Sequence, residues 1–577
     1  MPSPAPVSAA SAPVRSTRRP SPFVWLIVAM LLIRGAVLFP ALRSFDADPD
    51  DYRRLAENWA VYNVFGTETT PTAFRPPLYP WTLKTFVYPL IRADERPAAP
   101  NVADDVSLQS PNLPAVPVFP NLTQTPADAD AANLPKSPNP PQPTAERSVF
   151  DRYFALSRNA AFALFHWLLG VATVAVVYRF ARRLDFGPKS AAAVGFLVAV
   201  DPILLQQSRL VMTETLAALF AALLLDASAA VVARRPPQTA LASKAPASAP
   251  VAFAPPVAFA SLAAFVALGV LFGVSTLCRP AFFAFAGLVF LLVAAQGFVA
   301  AVKTRKLDQN VPLAVAVRRA FLGAALFLLG IGAAVAPWTL RNLRAFDRPI
   351  LTTTHGGYTR YLAHNPEIYR HFESSPPWSL WNPEPFHRRR TVEYAAALAD
   401  AGLEPGSTEA ELFQNRWTSE RADETIRSAP RTFLYSIGLR VGELWRVLPN
   451  AVDAEGRPLA SPDLESPRRR AARFAVAAFY SFELTAALLG AAFLVVRAFR
   501  RRRETPVVAA LLNSPWTLGA LLVASVQIPH LIYWTNMRMR APLEVFVPTL
   551  AIFGVAALVR RRRETPDANA TPSIDKK

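Results

Sequence analysis

Apolar runs of about twenty residues, separated by polar connections, set the pattern of this chain. "PAFFAFAGLVFLLVAAQGFVAAV" (280–302) and "AFLGAALFLLGIGAAVAPWTL" (320–340) are examples. Such a run crosses the hydrocarbon of a bilayer as a helix, because there the backbone must satisfy its hydrogen bonds internally. The pattern predicts spans near 22–42, 159–180, 190–206, 211–233, 256–277, 280–302, 320–340, 472–496, 507–533 and 541–559. The third is the shortest: "SAAAVGFLVAV" runs straight into "DPILLQQSR", which predicts a shortened or broken helix.

Two stretches depart from this pattern. Residues 92–150, rich in Pro, Ala, Asp and Asn ("NPPQPTAERS"), hold too little apolar material for a core and read as a disordered insertion. Residues 341–471 mix polar positions with aromatics ("PPWSLWNPEPFHRRR") and helical stretches such as "TVEYAAALADAGL", and predict a small, partly helical domain outside the membrane. The expected organisation is therefore a basic tail at 1–21, the first span with its loop at 22–91, the insertion, and spans two to seven within 151–340. The extramembrane domain at 341–471, the last three spans within 472–563 and a tail at 564–577 follow.

Of the 577 residues, 52% are hydrophobic and 18% charged, which agrees with a polytopic membrane protein. A formal charge of +19 would suit nucleic acid if it formed a patch. Instead the Lys and Arg flank the apolar runs, so no nucleic-acid partner is expected. Alternate connections carry "RFARRLDFGPK", "ARRPPQTALASK", "RAFRRRRE" and a final "RRRRE". Basic residues favour the cytoplasmic side, so both termini are expected there, in a bacterial inner membrane. The first loop and residues 202–210, 277–281, 341–471 and 534–540 then lie on the extracytoplasmic face. Arg15, Arg18 and Arg19 before the first apolar run mimic a secretory leader, but no small-x-small cleavage site follows, so the helix is expected to be retained. The single Cys278 excludes an internal disulfide and argues against a cysteine metal site.

Candidate chemistry gathers at the predicted extracytoplasmic ends. Asp46, Asp48, Asp50 and Asp51 follow span one, Arg75 lies in "FRPPLYP", and Glu214 heads span four in "MTET". Arg279 lies in "LCRPAF", Arg341 in "PWTLRN", and His530, Arg538 and Arg540 in "HLIYWTNMRMRAPLEVF". Ionisable groups at membrane depth are costly and usually face a cavity or a partner, so their recurrence at one end points to a composite site.

"DPDDYRRLAENWAVYNVFG…FRPPLYP" resembles the first loop of GT-C glycosyltransferases that use lipid-phosphate sugars. The nearest groups are the dolichyl-phosphate-mannose–protein mannosyltransferases and the bacterial lipid A aminoarabinose transferases. In them an acid precedes a Tyr by four residues, as Asp48 precedes Tyr52, and bacterial relatives continue with "RPPLYP", as at Arg75 to Pro80. Glu214, "RP" at 279–280, "PWTLRN" and "MRMRAP" match later landmarks; residues 92–150 fall outside the resemblance and 343–471 match poorly.

The resemblance implies an all-α polytopic membrane protein, a GT-C type bundle of roughly ten transmembrane helices with a partly helical extracytoplasmic domain. It implies a sugar moved from a polyprenyl-phosphate donor to a hydroxyl on protein, lipid or glycan, with inversion. Asp48 would take the acceptor proton, with Glu214 as the second acid. Arg75, Arg279, Arg538 and Arg540 would hold the leaving phosphate, with Tyr52 and His530 beside them. Asp46, Asp50 and Asp51 are expected to be solvated, and Arg341 an interfacial anchor. Arg538 and Arg540 alternate, so one of them is expected to meet phosphate. Arg34, within span one, is expected to face the bundle. His355, His364 and His371 lack metal-site spacing. No dedicated metal ligands are visible, although a divalent cation shared by Asp48 and Glu214 stays open. Two other readings remain: a glycan ligase or polymerase with a related bundle, and a transporter or flippase of lipid-linked sugars, for which Asp226 and Glu483 inside spans would be coupling charges.

Overall fold

A computed structural model describes residues 21–96, 156–232, 257–307, 312–451, 459, 464–500 and 507–564. The expected tails and, from residue 97, the expected insertion lie outside the described residues. The chain is all-α; among the described residues, β pairing is confined to isolated bridges between Gly66 and Pro71 and between Ile91 and Leu156.

The membrane part opens with α1 (Pro22–Leu38), followed by two short helices, α2 (Tyr52–Val61) and α3 (Leu78–Thr82). The bundle continues with α4 (Arg158–Arg183), α5 (Pro188–Val200), α6 (Pro202–Gln207), α7 (Glu214–Val232), α8 (Val257–Cys278), α9 (Phe282–Leu307) and α10 (Leu313–Phe346). Between α10 and the last helices the chain holds α11 (Gly356–Ala363), α12 (Pro366–Ser374), α13 (Glu384–Asp400), α14 (Thr408–Ser428) and α15 (Pro430–Leu444). The chain returns through α16 (Pro467–Arg500), α17 (Val507–Leu512), α18 (Pro515–Gln527) and α19 (Val547–Glu564).

Among the described residues, 6 helices are long and apolar enough to cross a membrane, and the bent pair Met537–Leu543 with Val547–Arg561 makes 7. The other predicted spans are helical but shorter. Span three divides at Asp201–Pro202: proline cannot donate to the helix before it, and Asp201 Oδ1 instead accepts from the Leu204 amide at 2.7 Å, capping α6. Span nine divides between α17 and α18, where the Ser514 hydroxyl caps the second piece just before Pro515. Large apolar side chains such as Leu32, Leu329 and Leu488 point outward, as the solvent of a bilayer requires.

Glycines set the closest helix contacts. A Cβ on Gly490 of α16 would lie 2.2 Å from the Leu550 carbonyl oxygen of α19, and one on Gly554 would lie 2.3 Å from the Ala486 oxygen. The neighbour in each case is backbone and cannot swing aside, so small residues are required for this approach. Gly490→Ala is expected to cost about 1–3 kcal/mol by forcing the two helices apart, read as a lowered thermal midpoint in detergent.

Helices α11, α13 and α14 close over their own core of Tyr361, Phe386, Tyr394, Leu398 and Trp417. They are tied to the first loop by Glu411 of α14. Its carboxylate accepts from the Thr72 hydroxyl at 2.6 Å, the Ala73 amide at 2.9 Å and the Thr354 hydroxyl at 2.5 Å. Arg341 completes the tie, donating to the Thr72 and Phe65 carbonyls and lying over the Trp338 ring. Arg341 thus anchors the loop together with Glu411, which no motif marked and which holds the chain two residues before Arg75.

Candidate active site

The aspartate-rich turn after α1 places each of its acids differently. Asp51 adopts a left-handed conformation (φ 60°) that starts α2 and pairs with Arg54 at 3.1 Å. Asp46 reaches the start of α4, accepting from Asn159 at 2.8 Å. Asp48 lies over the first turn of α2, one oxygen accepting from the Arg54 amide at 3.0 Å. Its other oxygen is buried and has no hydrogen-bond partner among the described residues. Burial pushes the Asp48 carboxyl above the usual carboxylate range, although the Arg54 and Arg53 amides and the Arg53 charge oppose the shift.

Asp50, expected to be solvated, is the acid that meets the arginines. Its Oδ1 lies 2.9 Å from Arg75 Nη2, and its Oδ2 lies 4.0 Å from Arg538 Nη2. Burial alone would raise its pKa, but Arg75 first, then Arg538, His355 and Arg279, hold it below the ordinary value. Arg75 is itself buried, lies over the Tyr52 ring with 5.6 Å to its centroid, and has a nitrogen 3.4 Å from His355 Nε2. His355 is pushed well below its ordinary pKa by burial and by Arg75, so its imidazole is neutral. The Tyr52 phenol is buried, packed edge-on against Tyr79 at 5.4 Å. Rather than lining open space for substrate, Tyr52 forms a floor under Arg75.

The second acid enters from α7. Glu214 lies 3.8 Å from Arg279 and 3.8 Å from Arg538, so one carboxylate joins an arginine from the α8–α9 turn to one from the segment Met537–Leu543. Glu214 is almost fully buried, and its Oε2 has no hydrogen-bond partner among the described residues. Arg279 Nη1 and Arg538 Nε are likewise buried donors without a hydrogen-bond partner there. Three guanidiniums therefore face two carboxylates and a neutral imidazole, with donor capacity to spare. Planar donors left over in this way are able to bind the oxygens of an anion.

Beside Arg279 lies a small cavity lined by Phe282, Val526, His530, Met539 and Pro542. It is mostly apolar, with His530 at its wall. Below the cluster, Tyr79 donates to His166 Nε2 at 2.7 Å and His166 Nδ1 donates to the Ser208 carbonyl at 2.8 Å. This chain of hydrogen bonds fastens the "RPPLYP" segment to α4 and to the turn before α7.

Arg540 corrects an expectation. It does not join Arg538 in the anion cluster: it is fully buried, paired with Glu544 and placed over the Tyr480 ring at 4.4 Å. The two arginines stand two residues apart on a 3-10 segment, which turns their side chains to different neighbours. Asp226, the first coupling-charge candidate, is clamped at 2.6 Å by each of Arg179 and Arg183 near the basic end of α4. Arg34 faces the bundle as expected, packed against Gly170.

Glu411→Ala, which touches none of the cluster directly, is expected to destabilise the protein by about 3 kcal/mol through lost charged hydrogen bonds. Limited proteolysis should then open the 66–75 segment first.

The fold and site together define an all-α membrane-spanning protein with a charged, anion-suited centre at one end of its bundle. A family model for dolichyl-phosphate-mannose-protein mannosyltransferase matches residues 134–339, which include Glu214 and Arg279 but not the other site residues. The resemblance to GT-C glycosyltransferases, first read from short motifs, therefore extends over α4 to α10. Among curated proteins nothing matches. Solved structures similar to the chain are those of the oligosaccharyltransferase AglB from Archaeoglobus fulgidus. The complex with an inhibitory peptide and a dolichol-phosphate has TM-score 0.39 at 12% identity, covering 95% of this chain and 52% of that one. The apo form has TM-score 0.40 at 12% identity, covering 93% and 51%. The chain thus spans about half the length of these structures.

Proposed function

We propose that this chain is a membrane glycosyltransferase that moves a sugar from a polyprenyl-phosphate donor to an acceptor hydroxyl at the extracytoplasmic face. The observation that carries the reading is the convergence of Arg75, Arg279 and Arg538 on Asp50 and Glu214, with Asp48 two residues before Asp50 in the same turn. Arg182, Arg183, Arg497 and Arg500 close their helices at the opposite end, which supports the orientation.

In this reading the donor phosphate sits among the three guanidiniums, and the isoprenoid runs from it into the bilayer. Asp48 removes the acceptor proton as its oxygen bonds the anomeric carbon. The bond from that carbon to phosphate breaks, and the lipid phosphate departs as an anion held by arginine. Attack opposite the leaving group inverts the anomeric centre. Asp48 suits the base because it is close to no guanidinium of the cluster and its pKa is raised. Asp50 does not, because its arginines keep it ionised and weakly basic; it holds those arginines in place. Fixed charge and positioning supply the rate enhancement.

Full-length protein in detergent, given a polyprenyl-phosphate mannose and a Ser/Thr peptide, should transfer sugar with inverted anomeric configuration by NMR. Transfer without any membrane compartment excludes a flippase. Transfer from a diphosphate donor alone would favour the glycan-ligase reading, and transfer from neither donor to protein, lipid or glycan acceptors would reject the proposal.

A further inference from the structure

A second buried polar cluster takes no part in this chemistry. Asp201 at the α5–α6 junction, Glu483 in α16 and Glu544 just before α19 are each at most 1% exposed. One carboxylate oxygen from each lies within 4.8 Å of the others. Asp201 is partly satisfied, by the Leu204 amide at 2.7 Å and the Tyr480 hydroxyl at 3.0 Å, and Glu544 Oε1 is paired with Arg540. Both oxygens of Glu483, and Oε2 of Glu544, are buried with no hydrogen-bond partner among the described residues. Arg540 also donates through Nη1 to the carbonyls of Leu444 at 3.1 Å and Arg446 at 3.0 Å, while its Nη2 is buried with no hydrogen-bond partner among the described residues. Arg34 enters from α1 at longer range, close enough to Asp201 to feel its charge.

Unpaired carboxylates in a low-dielectric interior are too costly to leave uncompensated. Even with Arg34 and Arg540 counted, three ionised acids leave the cluster negative. Their oxygens are hard ligands, and atoms within 4.8 Å of one another are close enough to share a Ca²⁺-sized ion, whose opposite ligands stand about 4.6–5.2 Å apart.

We propose that Asp201, Glu483 and Glu544 form a binding site for a hard divalent cation of the Mg²⁺, Mn²⁺ or Ca²⁺ class. The ion joins α5, α16 and the start of α19. It also fixes Glu544, and through Arg540 the 3-10 segment that carries Arg538 toward the candidate active site. The role is structural and does not depend on the reaction assigned above.

The test is Mn²⁺ binding to EDTA-treated, full-length protein in detergent without any sugar donor, read as loss of the free-ion EPR signal. About one ion per chain should bind below ~1 mM, with a raised thermal midpoint. Glu483→Gln, or Asp201→Asn where that variant does not yield folded protein, should weaken binding by about tenfold or more. Asp50→Asn, in the anion cluster, should leave it unchanged. No binding of Mn²⁺, Mg²⁺ or Ca²⁺ by the wild type overturns the proposal, since the acids are then neutralised by protons alone. Binding that survives loss of both Glu483 and Asp201 overturns it too, as does binding lost in Asp50→Asn.

Discussion

Asp48→Asn is expected to slow sugar transfer by about 10²–10⁴-fold while leaving the thermal midpoint close to that of the wild type. Asparagine keeps an oxygen that can accept from the Arg54 amide, so the start of α2 is preserved. What it loses is the ability to take a proton. The pH profile gives an independent readout. A general base works when ionised, so activity falls as pH drops through the Asp48 pKa, which burial places above the ordinary aspartate value. The acid limb of the rate profile should therefore lie above that value, and Asp50→Asn should leave its position unmoved while lowering the rate. Wild-type transfer by Asp48→Asn would remove Asp48 as the base.

The second large effect separates two arginines that look equivalent in sequence. Arg538→Ala is expected to lower kcat by about 10²–10³-fold, since it removes a guanidinium aimed at the developing charge. Arg538→Lys should recover part of this, a point charge replacing a planar fork. Arg540→Ala should instead be a folding lesion, costing about 3–5 kcal/mol, because it leaves Glu544 buried without its cation. Turnover by the fraction of Arg540→Ala that folds should remain within about tenfold of wild type. Thermal unfolding beside kcat on both variants decides the matter: comparable loss of stability in Arg538→Ala, or intact stability in Arg540→Ala, contradicts the assignment.

The sequence marked site candidates where a residue's neighbours are local. Asp48, Tyr52 and Arg75 were marked by one continuous stretch, and Glu214 and Arg279 by their places at helix ends. It failed for Asp50, which belongs to the same acidic turn as Asp46 and Asp51. Only the bend at Asp51 and the approach of α3 and the Met537–Leu543 segment turn Asp50 toward Arg75 and Arg538. It failed also for Glu411 and His355, whose part depends on how helices α11–α15 settle over the first loop. Neither lies in a spacing that a motif could record.

What the sequence determined by itself is the membrane-spanning helical architecture, since lipid allows the backbone few solutions and each apolar run must adopt one of them. It also predicted that the candidate residues gather at one end of the bundle, because basic flanks and acidic loops alternate along the chain. The tertiary structure alone decided which acid pairs with which arginine. Those contacts join residues as distant as Asp50 and Arg538, and side-chain direction at such separations follows from helix packing rather than from any period in the chain. The acids of spans three, eight and ten meet for the same reason: only the packed bundle brings Asp201, Glu483 and Glu544 to a common centre.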